Sequence, residues 1–188
     1  MNIKKSLSVD SGFLDDQKSN KISDTNEAIK FLEKQIQNPS EGLPEPVFLF
    51  ISRLTPMVNV DLLIKDENNR TLLSWRDDVF HDPGWHIPGG IVRFKEKMEK
   101  RIQKVAETEI GTVVEFEPVP IAVNEFICER DTRGHFISLL YKCFLSGKYV
   151  PKNIGLTEKD MGYLKWHDSC PSNFVKQQKI YRKFIQGV

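Results

Sequence analysis

The sequence predicts an α+β domain with a layered α/β/α arrangement, preceded by an N-terminal arm and a short helix. Two observations favour this class. Apolar runs of strand length dominate from residue 46 onward, whereas helical periodicity occurs once between the strands and once near the end. The 188 residues also suit one domain with a short appendage. We therefore expect residues 1–45 to be a flexible arm, short helix and linker, and residues 46–188 to be the main domain.

The N-terminal part changes character twice. Residues 1–23 are rich in Ser, Asn, Lys and Asp with few apolar side chains, so we expect a flexible arm. Asp24 and Glu27 then form a start that resembles a capping box, and apolar residues recur at helical spacing up to Asn38-Pro39. The stretch from Pro39 to Pro46 contains three prolines and one glycine, which is typical of a linker.

Strand-like runs and one helical run make up the main domain. The apolar runs 47–51 and 57–64 precede an Asn68-Asn69 turn and a further run at 71–75, which indicates a β-hairpin. The stretch 81–90, rich in Pro and Gly, predicts an irregular loop. The remaining expected elements are a helix over 97–110 ended by Gly111, strands at 112–116, 121–128, 136–145 and 163–167, and a closing helix over 172–185.

Composition excludes several classes of protein. Lys and Arg total 27 and Asp and Glu total 26, and this balance argues against a nucleic-acid partner. The longest apolar run, 47–51, is far too short to span a membrane, and the three cysteines are too widely spaced for a disulfide framework. We therefore expect a soluble, cytoplasmic protein without a nucleic-acid or membrane partner. A weaker hypothesis assigns residues 1–45 to partner docking or to forming a homodimer.

The Gly89-Gly90 turn and the helix after it carry the clearest chemical signal. Glycines there let a ligand approach the backbone without obstruction by a Cβ atom. On a helical wheel, Glu109 falls within the apolar arc, where a carboxylate is costly unless it is paired or bound to a metal ion. A carboxylate, a backbone carbonyl and a phosphorylated ligand together suit Mg²⁺, with Mn²⁺ as an alternative.

The run from Gly90 to Gly111 resembles the Nudix box, G-x5-E-x7-R-E-U-x-E-E-x-G-U, where U is a bulky aliphatic residue. Both glycines match, Glu96 matches the first glutamate, and Glu109 matches one metal-binding glutamate. Three positions depart from the pattern, and the residues there are Lys104, Val105 and Thr108. The resemblance implies the Nudix fold, with a mixed, curved sheet between helices. It also implies hydrolysis of a nucleoside diphosphate linked to a second group.

Residues 50–115 are similar to the GDP-mannose mannosyl hydrolase branch of that family, which lacks the same two acids and uses one magnesium ion. The resemblance implies a small-molecule nucleotide substrate, namely a nucleotide sugar, and Mg²⁺ held by Gly90 and Glu109. Trp85 is either a base-stacking platform or a core residue, and Arg93 is a hypothetical substitute for an arginine that the branch has at Ile91. The implied substrate-binding residues are Asp61, Arg76, Trp85 and Arg93.

The resemblance also implies residue roles. Arg76 would stabilise negative charge on the leaving diphosphate, and Glu125 or Asp160 would activate water. Attack on the anomeric carbon and attack on phosphorus both stay open. Glu96 would pair with Lys104 and so support the loop.

A second hypothesis is a degenerate Nudix module that binds a nucleotide or sugar phosphate without turnover. It is motivated by the residues that depart from the family pattern, which include Ile91, Val105 and Thr108.

Overall fold

The computed structural model describes residues 24–79, 81–146 and 148–186, and the predicted arm at residues 1–23 lies outside them. The chain forms two compact units, of which the first ends at Gln35 and the second begins at Ile36. In the first unit, helix α1 spans Thr25–Gln35. The backbone N–H of Glu27 donates to Asp24 Oδ1 at 2.8 Å, which confirms the predicted start of this helix.

The second unit is built on a mixed sheet. In the described part of the chain it has eight strands: β1 Met57–Lys65, β2 Thr71–Asp78, β3 His81–His86, β4 Gly89–Ile91, β5 Glu115–Phe116, β6 Ala122–Ile127, β7 His135–Phe144 and β8 Leu164–His167. The order is β3-β2-β1-β7-β5, with β4 against β1, β6 against β7 and β8 against β2. Strands β1 and β7 are parallel, whereas the other pairs are antiparallel. The predicted α+β class is confirmed.

Helical layers cover both faces of the sheet. The helical elements of this unit are α2 Glu45–Ile51, α3 Met98–Val105 with a π-helical turn at Ala106–Ile110, a 3₁₀ turn at Lys176–Tyr181 and α4 Arg182–Ile185. Leu62 packs in a core cluster with Ile102 of α3, whereas its neighbour Leu63 packs in another with Tyr181 and Ile185. Because successive strand residues point to opposite faces, the sheet lies between these two layers.

The hairpin and the central helix follow the prediction. Lys65 of β1 pairs with Thr71 of β2, and Asn69 in the turn between them has φ +61°. The helical segment that begins at Met98 ends at Gly111, which has φ +78° as a left-handed cap. The π-helical turn was not expected from the sequence.

Two predicted elements are wrong. The run 47–51 is not a strand, because Pro46 lies in the first turn of a helix and its fixed φ favours that start. The stretch 81–90 is not an irregular loop, because it contributes β3 and β4 to the sheet. A Cβ on Gly84 would lie 2.4 Å from the carbonyl oxygen of Asn173, so this glycine lets β3 pack closely against the segment at residues 173–175.

The closing helix is shorter than predicted. Helical structure begins at Lys176, and Phe174 instead forms an isolated parallel bridge with Trp85. None of the helices in the described residues is both long enough and apolar enough to cross a lipid bilayer.

Candidate active site

A cavity of about 480 Å³ lies within the second unit. Its lining comes from β1, β2, β4, the loop into α3, and the turn between β6 and β7. The charged residues that line it, among those described, are five arginines and one acid: Arg76, Arg93, Arg101, Arg130, Arg133 and Asp61. We call it the arginine cavity. A concave surface rich in guanidinium groups favours anions, above all phosphate oxygens.

Asp61 is buried in the wall of the arginine cavity and is fixed by three side chains. Its Oδ2 accepts hydrogen bonds from Ser138 Oγ and from Tyr181 Oη, the latter at 2.6 Å. Its Oδ1 accepts one from Asn59 Nδ2 at 2.9 Å. Burial raises the pKa of Asp61 above its usual range, although the hydrogen bonds from Ser138 and Tyr181 oppose this rise.

Ser138 and Tyr181 were not identified as site residues from the sequence. Ser138 is a hydroxyl residue in the predominantly apolar strand β7, and the parallel register sets it beside Asn59. That polar interruption is a signal in the sequence. Tyr181 gave no such signal, because its spacing in the closing segment is that of a core residue.

Gly89 allows β4 to approach Asp61, its register partner on β1. A Cβ on Gly89 would lie 2.2 Å from Asp61 Oδ1 and 2.8 Å from the carbonyl oxygen of Val60. A Cβ on Gly90 would lie 2.7 Å from Val105 Cγ2 of the helix behind it. The two glycines therefore let the strand fit between the acid and α3.

Glu96 supports the loop through Arg101, and the predicted pairing with Lys104 is wrong. Arg101 donates from Nε at 2.8 Å and from Nη2 at 3.0 Å, and the two side chains are only 8% and 4% exposed. Glu96 also accepts the backbone N–H of Arg93 at 3.0 Å. Lys104 is 54% exposed and approaches Glu107 at 3.9 Å, because its helix position turns it away from the loop.

Burial alone would raise the pKa of Glu96. The hydrogen bonds from Arg101 and from the backbone of Arg93 outweigh burial and hold the pKa of this carboxyl below its usual value. Glu96 is therefore a stable anion that fixes one arginine of the cavity and the backbone of another.

Four of the expected site residues line the arginine cavity, namely Asp61, Arg76, Gly90 and Arg93. Arg76 Nε lies 3.4 Å from Asp78 Oδ2 without the alignment of a hydrogen bond. Arg93 packs against Gly42 and lies 3.9 Å from Glu41, in a largely exposed contact. Neither contact is a close hydrogen-bonded pair like that of Glu96 with Arg101.

The fold is shared with solved hydrolase structures. A Jonesia denitrificans protein described as a possible asymmetric diadenosine tetraphosphate hydrolase has a TM-score of 0.53 and 21% identity, over 70% of this chain and 92% of that one. A MutT Nudix hydrolase from Burkholderia pseudomallei has a TM-score of 0.55 and 21% identity, over 71% and 99%. The chain has the Nudix fold.

Sequence comparison adds one distant relative. The chain is 27% identical over 115 residues to the low-salt glycan biosynthesis protein Agl8 of Haloferax volcanii. The matched region covers 59% of this chain and 73% of Agl8. No protein-family model matches the chain.

Four of the expected catalytic, substrate-binding and metal-binding residues do not line the arginine cavity: Trp85, Glu125, Asp160 and Glu109. Trp85 is buried and packs edge-on against Trp75 with ring centres 5.3 Å apart, which is the environment of a core residue and not of a stacking platform. On β6, Phe126 lines the cavity, so its neighbour Glu125 points to the opposite, exposed face. There Glu125 contacts His135 at 3.0 Å.

Asp160 lies in an exposed turn before β8. It accepts the backbone N–H of Thr157 at 2.6 Å and the Thr157 hydroxyl at 2.8 Å, and the backbone bond in particular lowers the pKa of this carboxyl. It does not belong to the lining of the arginine cavity. The structure therefore brings neither expected base, Glu125 nor Asp160, to this site.

Of the three positions in α3 and its π-helical turn that hold glutamates in the Nudix box, only Glu109 has a carboxylate in this chain. Val105 is part of the core, and Thr108 Oγ1 donates to the carbonyl oxygen of Lys104 at 2.7 Å. The Glu109 carboxylate is 29% exposed and lies 3.8 Å from Nε2 of buried His86. Glu109 is not among the residues that line the arginine cavity.

The ion that the resemblance implies needs several oxygen ligands. Within residues 24–79, 81–146 and 148–186, no three His, Cys, Asp or Glu side chains are grouped so that they could hold a metal ion. The described side chains therefore do not fit a metal centre of clustered carboxylates, of the kind that hard cations prefer. Binding of Mg²⁺ by Gly90 and Glu109 stays a prediction.

Proposed function

We propose that this chain hydrolyses a nucleoside diphosphate linked to a second group, with a nucleotide sugar as the substrate class. The arginine cavity carries the proposal. Five guanidinium groups line a space of about 480 Å³, and guanidinium groups form paired, charge-assisted hydrogen bonds with phosphate oxygens. Ligand pockets are typically about 300–1,000 Å³, so the volume suits a ligand of this size.

The names of similar proteins support the reaction and the substrate class. The two structures that share the Nudix fold are named as hydrolases, one of them for diadenosine tetraphosphate. The distant relative Agl8 is named for glycan biosynthesis, which favours a sugar as the second group.

Residues of the arginine cavity have distinct roles in the proposed complex. Arg76 and Arg93 contact the diphosphate and neutralise negative charge on the leaving group. That group is the nucleoside diphosphate if water attacks carbon, and a nucleoside monophosphate or a sugar phosphate if water attacks phosphorus. Asp61 contacts the sugar side and is held in place by Ser138 and Tyr181. No base is assigned, because neither expected base lines the cavity.

Mg²⁺ and Mn²⁺ enter the proposal only as ions to be tested. The resemblance implies a divalent ion, but the described side chains do not form a clustered centre for one. No step of the proposed reaction is therefore assigned to an ion.

A turnover assay tests the proposal. The full chain is incubated with a panel of nucleotide sugars in Mg²⁺, in Mn²⁺ and in chelator, and products are separated by chromatography. We expect release of a nucleoside diphosphate or monophosphate, and the product identifies the bond that breaks. Arg76→Gln should lose most of this activity. No product from any panel member, or full activity in Arg76→Gln, would contradict the proposal.

The same assay decides the implied ion site. Loss of activity in Glu109→Gln together with dependence on Mg²⁺ would support an ion at Gly90 and Glu109. Full activity in Glu109→Gln would reject that ion site while leaving the arginine cavity in place.

A second candidate function is nucleotide binding without turnover. Two observations favour it: Val105 lies in the core at one acid position of the box, and Thr108 bonds its own helix at another. Calorimetry that shows nucleotide binding in chelator, with no product after long incubation, would select this function. Product formation would reject it.

A further inference from the structure

The turn between β6 and β7 contributes two arginines to the arginine cavity, Arg130 and Arg133. The turn is tightly closed. The backbone N–H of Cys128 donates to the Gly134 carbonyl at 2.7 Å, and Arg130 Nε donates to the carbonyl oxygen of Arg133 at 3.1 Å. A Cβ on Gly134 would lie 2.4 Å from the carbonyl oxygen of Arg130, so the turn requires glycine there. The two arginines are therefore held on a rigid segment.

Arg133 is also fixed from the side of helix α2. Its backbone N–H donates to Ser52 Oγ at 3.0 Å, and its guanidinium lies 5.8 Å from the ring centre of Phe48. Its φ is +53°, a conformation that residues other than glycine rarely adopt. Such a conformation persists only where the surroundings determine it, so Arg133 is positioned before any ligand arrives.

The charges around Arg133 favour an incoming anion. Burial lowers the pKa of Arg133 from its usual value, and the like charges of Arg130 and Arg76 lower it further. The carboxylates of Asp78 and Glu45 oppose this effect. Arg76, Arg130 and Arg133 all line the arginine cavity, and a bound anion there would relieve the repulsion between their like charges.

This group of arginines is distinct from the one beside α3. There, Glu96 neutralises Arg101 through two hydrogen bonds and also holds the backbone of Arg93. The arginine cavity thus has one group at the Nudix box and another at the β6–β7 turn. The proposed function assigns the diphosphate to Arg76 and Arg93, so Arg130 and Arg133 face another part of the ligand.

We propose that Arg130 and Arg133 form a second anion-binding subsite, and that the second group of the ligand is a sugar with its own negative charge. The charged group is a carboxylate, as in a glycuronic acid, or a phosphate on the sugar. Either one forms charge-assisted hydrogen bonds with the two guanidinium groups, whereas a neutral sugar brings them no charge. This inference rests on the proposed function, because it names the class of substrate.

Matched pairs of probes test the subsite by calorimetry on the full chain. One pair is UDP-glucuronic acid and UDP-glucose, which differ by a sugar carboxylate. The other is glucose 1,6-bisphosphate and glucose 1-phosphate, which differ by a phosphate and carry no nucleotide. We expect the wild-type chain to bind the more charged member of at least one pair about tenfold more tightly. The pair that shows the preference identifies the charged group.

The double variant Arg130→Gln/Arg133→Gln should lose this preference and bind both members of the pair alike. Arg182→Gln, which changes an exposed arginine on α4, should keep the wild-type preference. Absence of a preference in the wild-type chain would overturn the subsite. A double variant that keeps the wild-type preference would overturn it as well.

The two pairs also separate this inference from the proposed function. A preference for glucose 1,6-bisphosphate that the double variant abolishes, without binding or turnover of any nucleotide sugar, would support the subsite and reject the function. Turnover of neutral nucleotide sugars without any preference would support the function and overturn the subsite. Failure of every probe to bind would overturn both.

Discussion

The start and the end of the segment from Gly89 to Gly111 differ in how their polar groups are held. At the start, Glu96 is buried and bonds both Arg101 and the backbone of Arg93. At the end, Glu109 is partly exposed and lies 3.8 Å from His86, without a closer ion pair in the described residues. The Glu96 carboxylate is therefore fixed by close hydrogen bonds to its partners, whereas the Glu109 carboxylate has only a long contact with His86.

The difference separates two properties that the Nudix box normally combines. The start of the segment positions a loop beside the arginine cavity, and its glycines and its ion pair are all in place. The end of the segment corresponds to the positions at which the Nudix box has ion-binding glutamates. Two of those positions hold Val105 and Thr108, which have no carboxylate.

The largest expected effect comes from breaking the buried ion pair of Glu96 with Arg101. Glu96→Gln leaves the charge of buried Arg101 without its partner, and we expect the free energy of unfolding to fall by about 3–5 kcal/mol. The control Lys104→Gln should change it by less than about 0.5 kcal/mol, because Lys104 is exposed. Urea unfolding measures both. Equal losses of stability in the two variants would support the pairing of Glu96 with Lys104 that the sequence predicted.

The same ion pair predicts a pH dependence. The pKa of Glu96 is lower in the folded chain than its usual value of 4.5. Its stabilising contribution is therefore fully present above the unfolded-state pKa and is lost as the pH falls through the folded-state pKa. Wild-type stability should fall on acidification below about pH 4.5, and the fall should be shallower in Glu96→Gln. Parallel curves for the two proteins would contradict this assignment.

Gly89→Ala should cause the next largest effect. The added Cβ would clash with Asp61 Oδ1 and with the Val60 backbone, so we expect a loss of about 1–3 kcal/mol in the free energy of unfolding and weaker nucleotide binding. Gly155→Ala is the control, since it has φ +75° but no atom within 4 Å of the added Cβ. The control should lower stability without changing nucleotide binding. Unaltered binding by Gly89→Ala would argue that Asp61 does not contact the ligand.

Tyr181→Phe removes one donor from the buried Asp61 carboxyl. We expect the free energy of unfolding to fall by about 1–2 kcal/mol near pH 7, because a buried hydrogen bond is lost. The pKa of Asp61 is already raised in the folded chain, so its contribution favours folding at low pH and is lost as the pH rises through that pKa. Without the tyrosine hydroxyl this pKa should rise further. Urea unfolding at several pH values should therefore show that Tyr181→Phe loses less stability, relative to the wild-type chain, in acid than near pH 7. A loss of stability that does not vary with pH would contradict the effect of the Tyr181 hydroxyl on the pKa of Asp61.

Glu109→Gln should have the smallest effect on stability. Its carboxylate is partly exposed and lies 3.8 Å from His86, so we expect a change within about 0.5 kcal/mol by thermal or urea unfolding. A loss of several kcal/mol would show that the end of the segment is as tightly held as its start.

Local sequence patterns predicted much of this fold. The glycine spacing, the apolar arc of α3 and the apolar run of β1 specify elements from neighbouring residues alone, and the Nudix resemblance connected them. Contacts between distant residues escaped the prediction. Ser138 and Tyr181 are 77 and 120 positions from Asp61, and only the sheet register and the closing segment bring them to it.

The partner of Glu96 shows a different limit. Motif spacing selected Lys104, but Arg101, three positions earlier on α3, lies against the carboxylate. Likewise, strand alternation turns Glu125 away from the cavity although Phe126 beside it lines the wall. One position along a strand or helix decides which face a side chain occupies, and a loosely aligned motif does not resolve one position.

Calorimetric titration of GDP into the chain in the presence of chelator tests the central claim most directly. If the arginine cavity holds the diphosphate, the wild-type chain binds GDP without a divalent ion, Arg76→Gln binds it about tenfold more weakly, and Arg182→Gln binds it as the wild-type chain does. Binding that appears only with Mg²⁺, or that Arg76→Gln leaves unchanged, would contradict the account.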